Sequence, residues 1–109
     1  MLDSRDEPWS EAEREAHRLL RAAGIRGWRT NLPVALGPAC YYLDIAFPER
    51  RLALEIDGRA FHSDRVSFER DRSRQNDLVL AGWTVLRFTW RMIAEHPEAF
   101  VAAVLQALR

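Results

Sequence analysis

The sequence predicts an α/β domain, more strictly α+β, with four strands and elements in the order α, β, β, β, α, β, α. Three observations carry this. Cys40–Phe47 and Arg51–Asp57 both alternate in the two-residue rhythm of strands. Before them Ala12, Ala16, Leu19, Leu20 and Ala23 recur at helical spacing, and near the end Phe100, Val101, Val104, Leu105 and Leu108 do the same. Between these lie a further helical stretch and a strand, Trp83–Phe88.

The first helix is expected to start at Ser10-Glu11-Ala12-Glu13, which reads as a capping box, and to close at Gly24. A short extended stretch follows around Trp28 to Val34. The next two strands are joined by Pro48-Glu49-Arg50 as a tight hairpin. Centring the turn on Glu49 and Arg50 pairs Phe47 with Leu52, Ile45 with Leu54 and Leu43 with Ile56, so every large aliphatic shares one buried face. The same register sets Asp44 opposite Glu55 on the other face. A helix from about Asp64 to Ala81 then carries Phe68, Asp71, Gln75 and Leu78 along one stripe, and Gly82 ends it. After the strand Trp83–Phe88 there is room for a short extra turn at Trp90 to Glu95, and Pro97 opens the last helix.

A chain of 109 residues, 48% of them hydrophobic, buries one modest core, so residues 1–109 are read as a single domain with residues 1–8 as an N-terminal tail. The opening MLDSRDEPWS is polar and no apolar run could span a bilayer, so a soluble, cytoplasmic protein with no membrane partner is expected. Cys40 is the only cysteine, which excludes an internal disulfide and a cysteine-based zinc cage; it is expected to be a buried small hydrophobe. Sixteen basic and sixteen acidic residues cancel, so net charge does not advertise a nucleic-acid partner. All of the basic residues are arginines, which rules out mechanisms that need a catalytic lysine. No glycine-rich phosphate loop is present.

Chemistry concentrates on the hairpin. Carboxylates directly opposite each other on a sheet, with β-carbons roughly 5 Å apart, repel and need a cation between them. Magnesium suits one or two carboxylates and keeps its other sites for water and phosphate. The alternative is an ordinary ion-pair network in which Arg59, Arg70, Arg74 or Arg87 neutralises the pair, and spacing alone does not separate the two. His62, just after the strand of Glu55 and Asp57, is a candidate general base or a loop-closing residue. His17 and His96 look like surface residues. Asp71 interrupts an apolar stripe and must be paired or do work, with Arg74 as its partner or as a phosphate ligand. Arg59, Arg65, Arg70 and Arg72 could track a DNA backbone, or form a solvated face.

Taken together, Tyr42-Leu43-Asp44-Ile45-Ala46-Phe47-Pro48-Glu49, then Leu52-Ala53-Leu54-Glu55-Ile56-Asp57-Gly58 with Phe61-His62, Asp71-x-x-Arg74 and Gly82-Trp83-Thr84-Val85-Leu86-Arg87-Phe88-Thr89-Trp90, form a chained pattern. It resembles the domain-of-unknown-function 559 family, relatives of the very-short-patch-repair endonuclease within the PD-(D/E)XK nuclease superfamily. The resemblance runs from about Ser10 to Leu108. It implies a restriction-endonuclease-like three-layer α/β/α fold and a magnesium-dependent DNA endonuclease, with manganese as a substitute, acting in repair or in defence against foreign DNA. It makes Asp44 and Glu55 the metal-binding acids, Glu13 the acid of the leading helix, and His62 a proton-transfer residue with Asp57 as an additional ligand or its orienter. Asp71 and Arg74 match a helix motif as supporting residues. Asp57 departs from the pattern, standing where the superfamily commonly has lysine. The alternative implied by the same family is a noncatalytic DNA- or protein-binding module beside antitoxin or regulatory domains. Symmetric double-strand cleavage would need a homodimer.

Overall fold

The computed structural model describes residues 8–57 and 65–109. The elements are α1 (Pro8–Ala22), β1 (Arg29–Leu36), β2 (Ala39–Phe47), β3 (Leu52–Asp57), α2 (Arg65–Leu80), β4 (Thr84–Thr89), α3 (Trp90–Glu95) and α4 (Pro97–Leu108). This is the expected order, with the extra turn realised as α3. The four strands form one sheet in the order β1-β2-β3-β4. The β1–β2 and β2–β3 pairs are antiparallel. The sheet is mixed, because α2 returns the chain so that β4 starts beside the start of β3, where the Thr84 amide donates to the Arg51 carbonyl at 2.8 Å.

Contacts divide the chain into two compact units. One contains α1, the last two residues of β3 and the segment Arg87–Arg109; the other contains Trp28–Glu55, α2 and the chain up to Leu86.

In the first unit α1 begins two residues before Ser10, with Pro8 in its first turn. Ser10 therefore lies inside the helix and is not its cap, which removes the capping explanation for Glu13. Proline is suited to this position because its missing N–H would have no partner there. The C-terminus behaves as expected. Gly24 takes φ +74°, its amide donates to the Arg21 carbonyl and that of Ile25 to the Leu20 carbonyl, both at 3.0 Å. These are the two bonds of a Schellman cap, which demands a left-handed residue that glycine supplies without strain. Ala12, Ala16 and Leu20 are fully buried, as are Ile93 of α3 and Val104 of α4. Phe88 packs edge-on against Phe100, with ring centroids 4.8 Å apart. Leu105 departs from the expected apolar face of α4 and is exposed. Thr89 caps α3, its hydroxyl accepting from the Met92 amide at 3.1 Å.

In the second unit β1 and β2 form a hairpin with Leu36 opposite Ala39. Its two-residue loop, Gly37-Pro38, takes φ +63° at glycine. The β2–β3 register is the one expected, with Phe47 opposite Leu52, Ala46 opposite Ala53 and Ile45 opposite Leu54. The turn holds Arg51 at φ +52°, a conformation unfavourable for a residue with a β-carbon. Its guanidinium compensates by donating to the Ala81 carbonyl at 2.8 Å, which ties this turn to the end of α2.

The alternation expected of the hairpin is overlaid by a second buried face. Leu43, Ile45, Phe47, Leu52, Leu54 and Ile56 are all buried, but so are Ala46, Ala53 and Glu55. Leu43, Ala46, Ala53 and the α2 residue Leu78 form one apolar cluster, with Leu32, Val34, Leu36, Trp83 and Val85 packed against it. Leu78 of α2 thus covers the sheet, and the alanines leave room for the helix to approach. Phe68, expected on the buried stripe of α2, is half exposed instead, and Arg72 stacks on its ring at 4.3 Å. Cys40, expected to be buried, is exposed.

Candidate active site

The site is assembled on the second unit, where β2, β3 and α2 meet. Asp44 and Glu55 are the residues next to the pair Ile45–Leu54 on β2 and β3. Glu55 is 7% exposed and Asp44 half-buried, so this carboxylate pair lies at the edge of the apolar cluster rather than in bulk water.

Arg74 of α2 supplies positive charge. Its Nη2 lies 3.2 Å from Glu55 Oε1 and donates to the backbone carbonyl of Tyr42 at 3.1 Å. Its guanidinium also lies 5.5 Å from the Tyr41 ring centroid. Tyr41 is held in turn by donating its hydroxyl to Asp77 Oδ2 at 2.8 Å, and that bond is the first reason the phenol's pKa is raised, followed by burial and the charge of Asp77. The structure shows Arg74 as a counter-ion to Glu55, which is the ion-pair role expected of one of the four arginines. Asp71 is half-buried on the same helix. The Tyr41–Asp77 bond was not foreseen from sequence; the signal available there was that Tyr41, unlike Cys40 and Tyr42, alternates in step with Leu43, Ile45 and Phe47.

Asp57, two residues beyond Glu55 on β3, belongs to the first unit, where Arg87 of β4 grips it at 2.9 Å to Oδ1 and 3.4 Å to Oδ2. A guanidinium therefore accompanies this carboxylate. Glu13 is half-buried on α1 of the same unit. His17, expected at the surface, is half-buried on α1, and its pKa is lowered first by burial and then by Arg21. Arg65, Arg70 and Arg72 are exposed on α2. His62 and Arg59 lie outside the described residues.

Among the described residues no group of three or more His, Cys, Asp and Glu side chains is placed to hold a metal ion. A metal here would be held by the two acids Asp44 and Glu55, with water and substrate completing its shell. That all-oxygen, two-carboxylate set fits magnesium or manganese and does not fit zinc, which favours nitrogen and sulfur in closed cages. No helix among the described residues is long and apolar enough to cross a membrane.

The fold is that of a nuclease catalytic domain: the chain superposes on the "Homing Endonuclease I-Bth0305I Catalytic Domain" with a TM-score of 0.63 over 81% of this chain and 84% of that one, at 19% identity. The match to a family model is more extensive. Residues 12–108 match REase_MTES_1575, and the chain belongs to this restriction-endonuclease-like family. No curated protein matches the chain.

Proposed function

We propose that this protein is a metal-dependent endonuclease that hydrolyses phosphodiester bonds in DNA, with magnesium as the working ion and manganese as a substitute. The observation that carries the reading is Glu55, buried on β3 at 7% exposure, with the half-buried Asp44 on the adjacent strand β2. Two carboxylates on neighbouring strands supply the kind of oxygen ligands that a hard divalent ion takes, leaving its other positions to water and phosphate. Membership of a restriction-endonuclease-like family and the homing-endonuclease fold support the same chemistry.

When bound, the ion would activate a water and stabilise the charge that builds on the phosphate. Asp44 and Glu55 would hold it from neighbouring strands. His62, by resemblance to the repair endonucleases, accepts the proton of the attacking water, with Asp57 orienting it or adding a ligand. Glu13 and Asp71 are supporting acids. Exposed Arg65, Arg70 and Arg72, with Arg59, attract the phosphate backbone. Each site makes one cut per strand, so a symmetric double-strand break takes two copies. The protein would act in the cytoplasm on damaged or foreign DNA.

The test is cleavage of plasmid and branched DNA with magnesium or manganese by the wild type, Asp44→Ala and Glu55→Ala, each checked for folding. Metal-dependent cutting that falls more than about 100-fold in both variants is expected, since residues that merely support metal ligands are already worth 10–100-fold. DNA bound but never cut, with binding unchanged in both variants, would replace this reading with a noncatalytic binding module.

A further inference from the structure

We infer that Arg74 is an exchangeable counter-ion: it occupies Glu55 while no divalent cation is bound, and is released from that carboxylate to the substrate phosphate when one binds. The inference rests on the metal site proposed above and adds an occupant that competes for it.

Arg74 Nη2 stands 3.2 Å from Glu55 Oε1, on a carboxylate proposed as a metal ligand. A guanidinium and a divalent ion on one carboxylate repel strongly in a dehydrated site. Arginine cannot resolve that conflict by losing a proton near neutral pH. It must give way by moving. The remaining contacts of Arg74 do not depend on Glu55. The Tyr42 carbonyl accepts from it at 3.1 Å, and the Tyr41 ring, itself anchored through its hydroxyl to Asp77, lies 5.5 Å from it. Released from Glu55, the guanidinium is thus still anchored beside the carboxylates, with donors free for a planar, bidentate grip on a phosphate oxygen pair. In this scheme the same residue keeps the acid pair from repelling before substrate arrives and helps to fix the phosphate afterwards. Arg74 is a positioning residue in the first state and a substrate ligand in the second.

The arrangement predicts opposite effects of one substitution on two measurements. Calorimetric titration with manganese alone should show Arg74→Met binding about tenfold more tightly than the wild type, about the worth of one charge-assisted hydrogen bond at Glu55. Arg74→Lys, which retains the charge, should stay near the wild type. At saturating manganese, Arg74→Met should cleave DNA at least tenfold more slowly. Equal or weaker manganese binding by Arg74→Met, while wild-type binding is abolished by Glu55→Gln, would overturn the exchange and leave the metal site standing. Wild-type binding that is absent or indifferent to Glu55→Gln would overturn the metal site and the exchange with it. A measurement that needs no substitution is the ¹⁵N signal of the Arg74 side chain in the wild type, which should move on titration with magnesium; a signal that stays fixed while the ion binds at Glu55 rules out the exchange.

Discussion

Arg74 on α2 and Glu55 on β3 form an ion pair at 3.2 Å with side chains only 18% and 9% exposed. Their mutual dependence follows from desolvation. Each charge has lost most of its water, so removal of one partner leaves the other poorly compensated. Glu55→Gln alone is expected to destabilise the protein by about 2–3 kcal/mol in urea denaturation without metal, below the full cost of orphaning a wholly buried charge. The double variant Glu55→Gln/Arg74→Met should recover about 1–2 kcal/mol relative to the sum of the single changes. Strict additivity would mean that the pair contributes no coupling to the fold.

The Asp57–Arg87 pair predicts the contrary. At 2.9 Å it has good geometry, but its side chains are 43% and 26% exposed, so water screens it. Asp57→Asn should change stability by less than about 1 kcal/mol. A larger loss of stability would show that the pair is structural. If stability holds and DNA cleavage collapses, Asp57 has a part in the chemistry. Stability and cleavage that are both unchanged would remove it from the proposed site.

His17 introduces a pH dependence on the acid side of neutrality. Burial, and then Arg21, lower its pKa from the ordinary value of 6.5, so the folded protein favours neutral imidazole. The unfolded chain takes up the proton first as pH falls. Stability from this group is therefore complete above pH 6.5 and is lost as pH drops through the lowered folded value. Between pH 7 and 5, His17→Gln should lose stability less steeply than the wild type in thermal melts, and parallel profiles would show that His17 contributes nothing to the slope.

The sequence by itself determined the element order and the β2–β3 register. These depend on local rules: a four-residue turn and a two-residue alternation leave only one pairing that buries Phe47, Ile45 and Leu54 together with their partners. Helix ends written in backbone geometry, such as Gly24, were legible for the same reason. Ser10 was not, because serine caps a helix only where the chain enters it, and α1 starts earlier at Pro8. What only the tertiary structure decided was which face of each element meets another. Phe68 fits an apolar stripe along α2 yet is half exposed, whereas Leu78, on the same stripe, sits over Ala46 and Ala53. Likewise, periodicity identified Arg59, Arg70, Arg74 and Arg87 as equal candidates to neutralise the acids, and only packing gave Glu55 to Arg74 and Asp57 to Arg87. Alternation along a chain fixes direction within an element, but the partner of a long, flexible charged side chain depends on how separate elements pack, which no local period encodes.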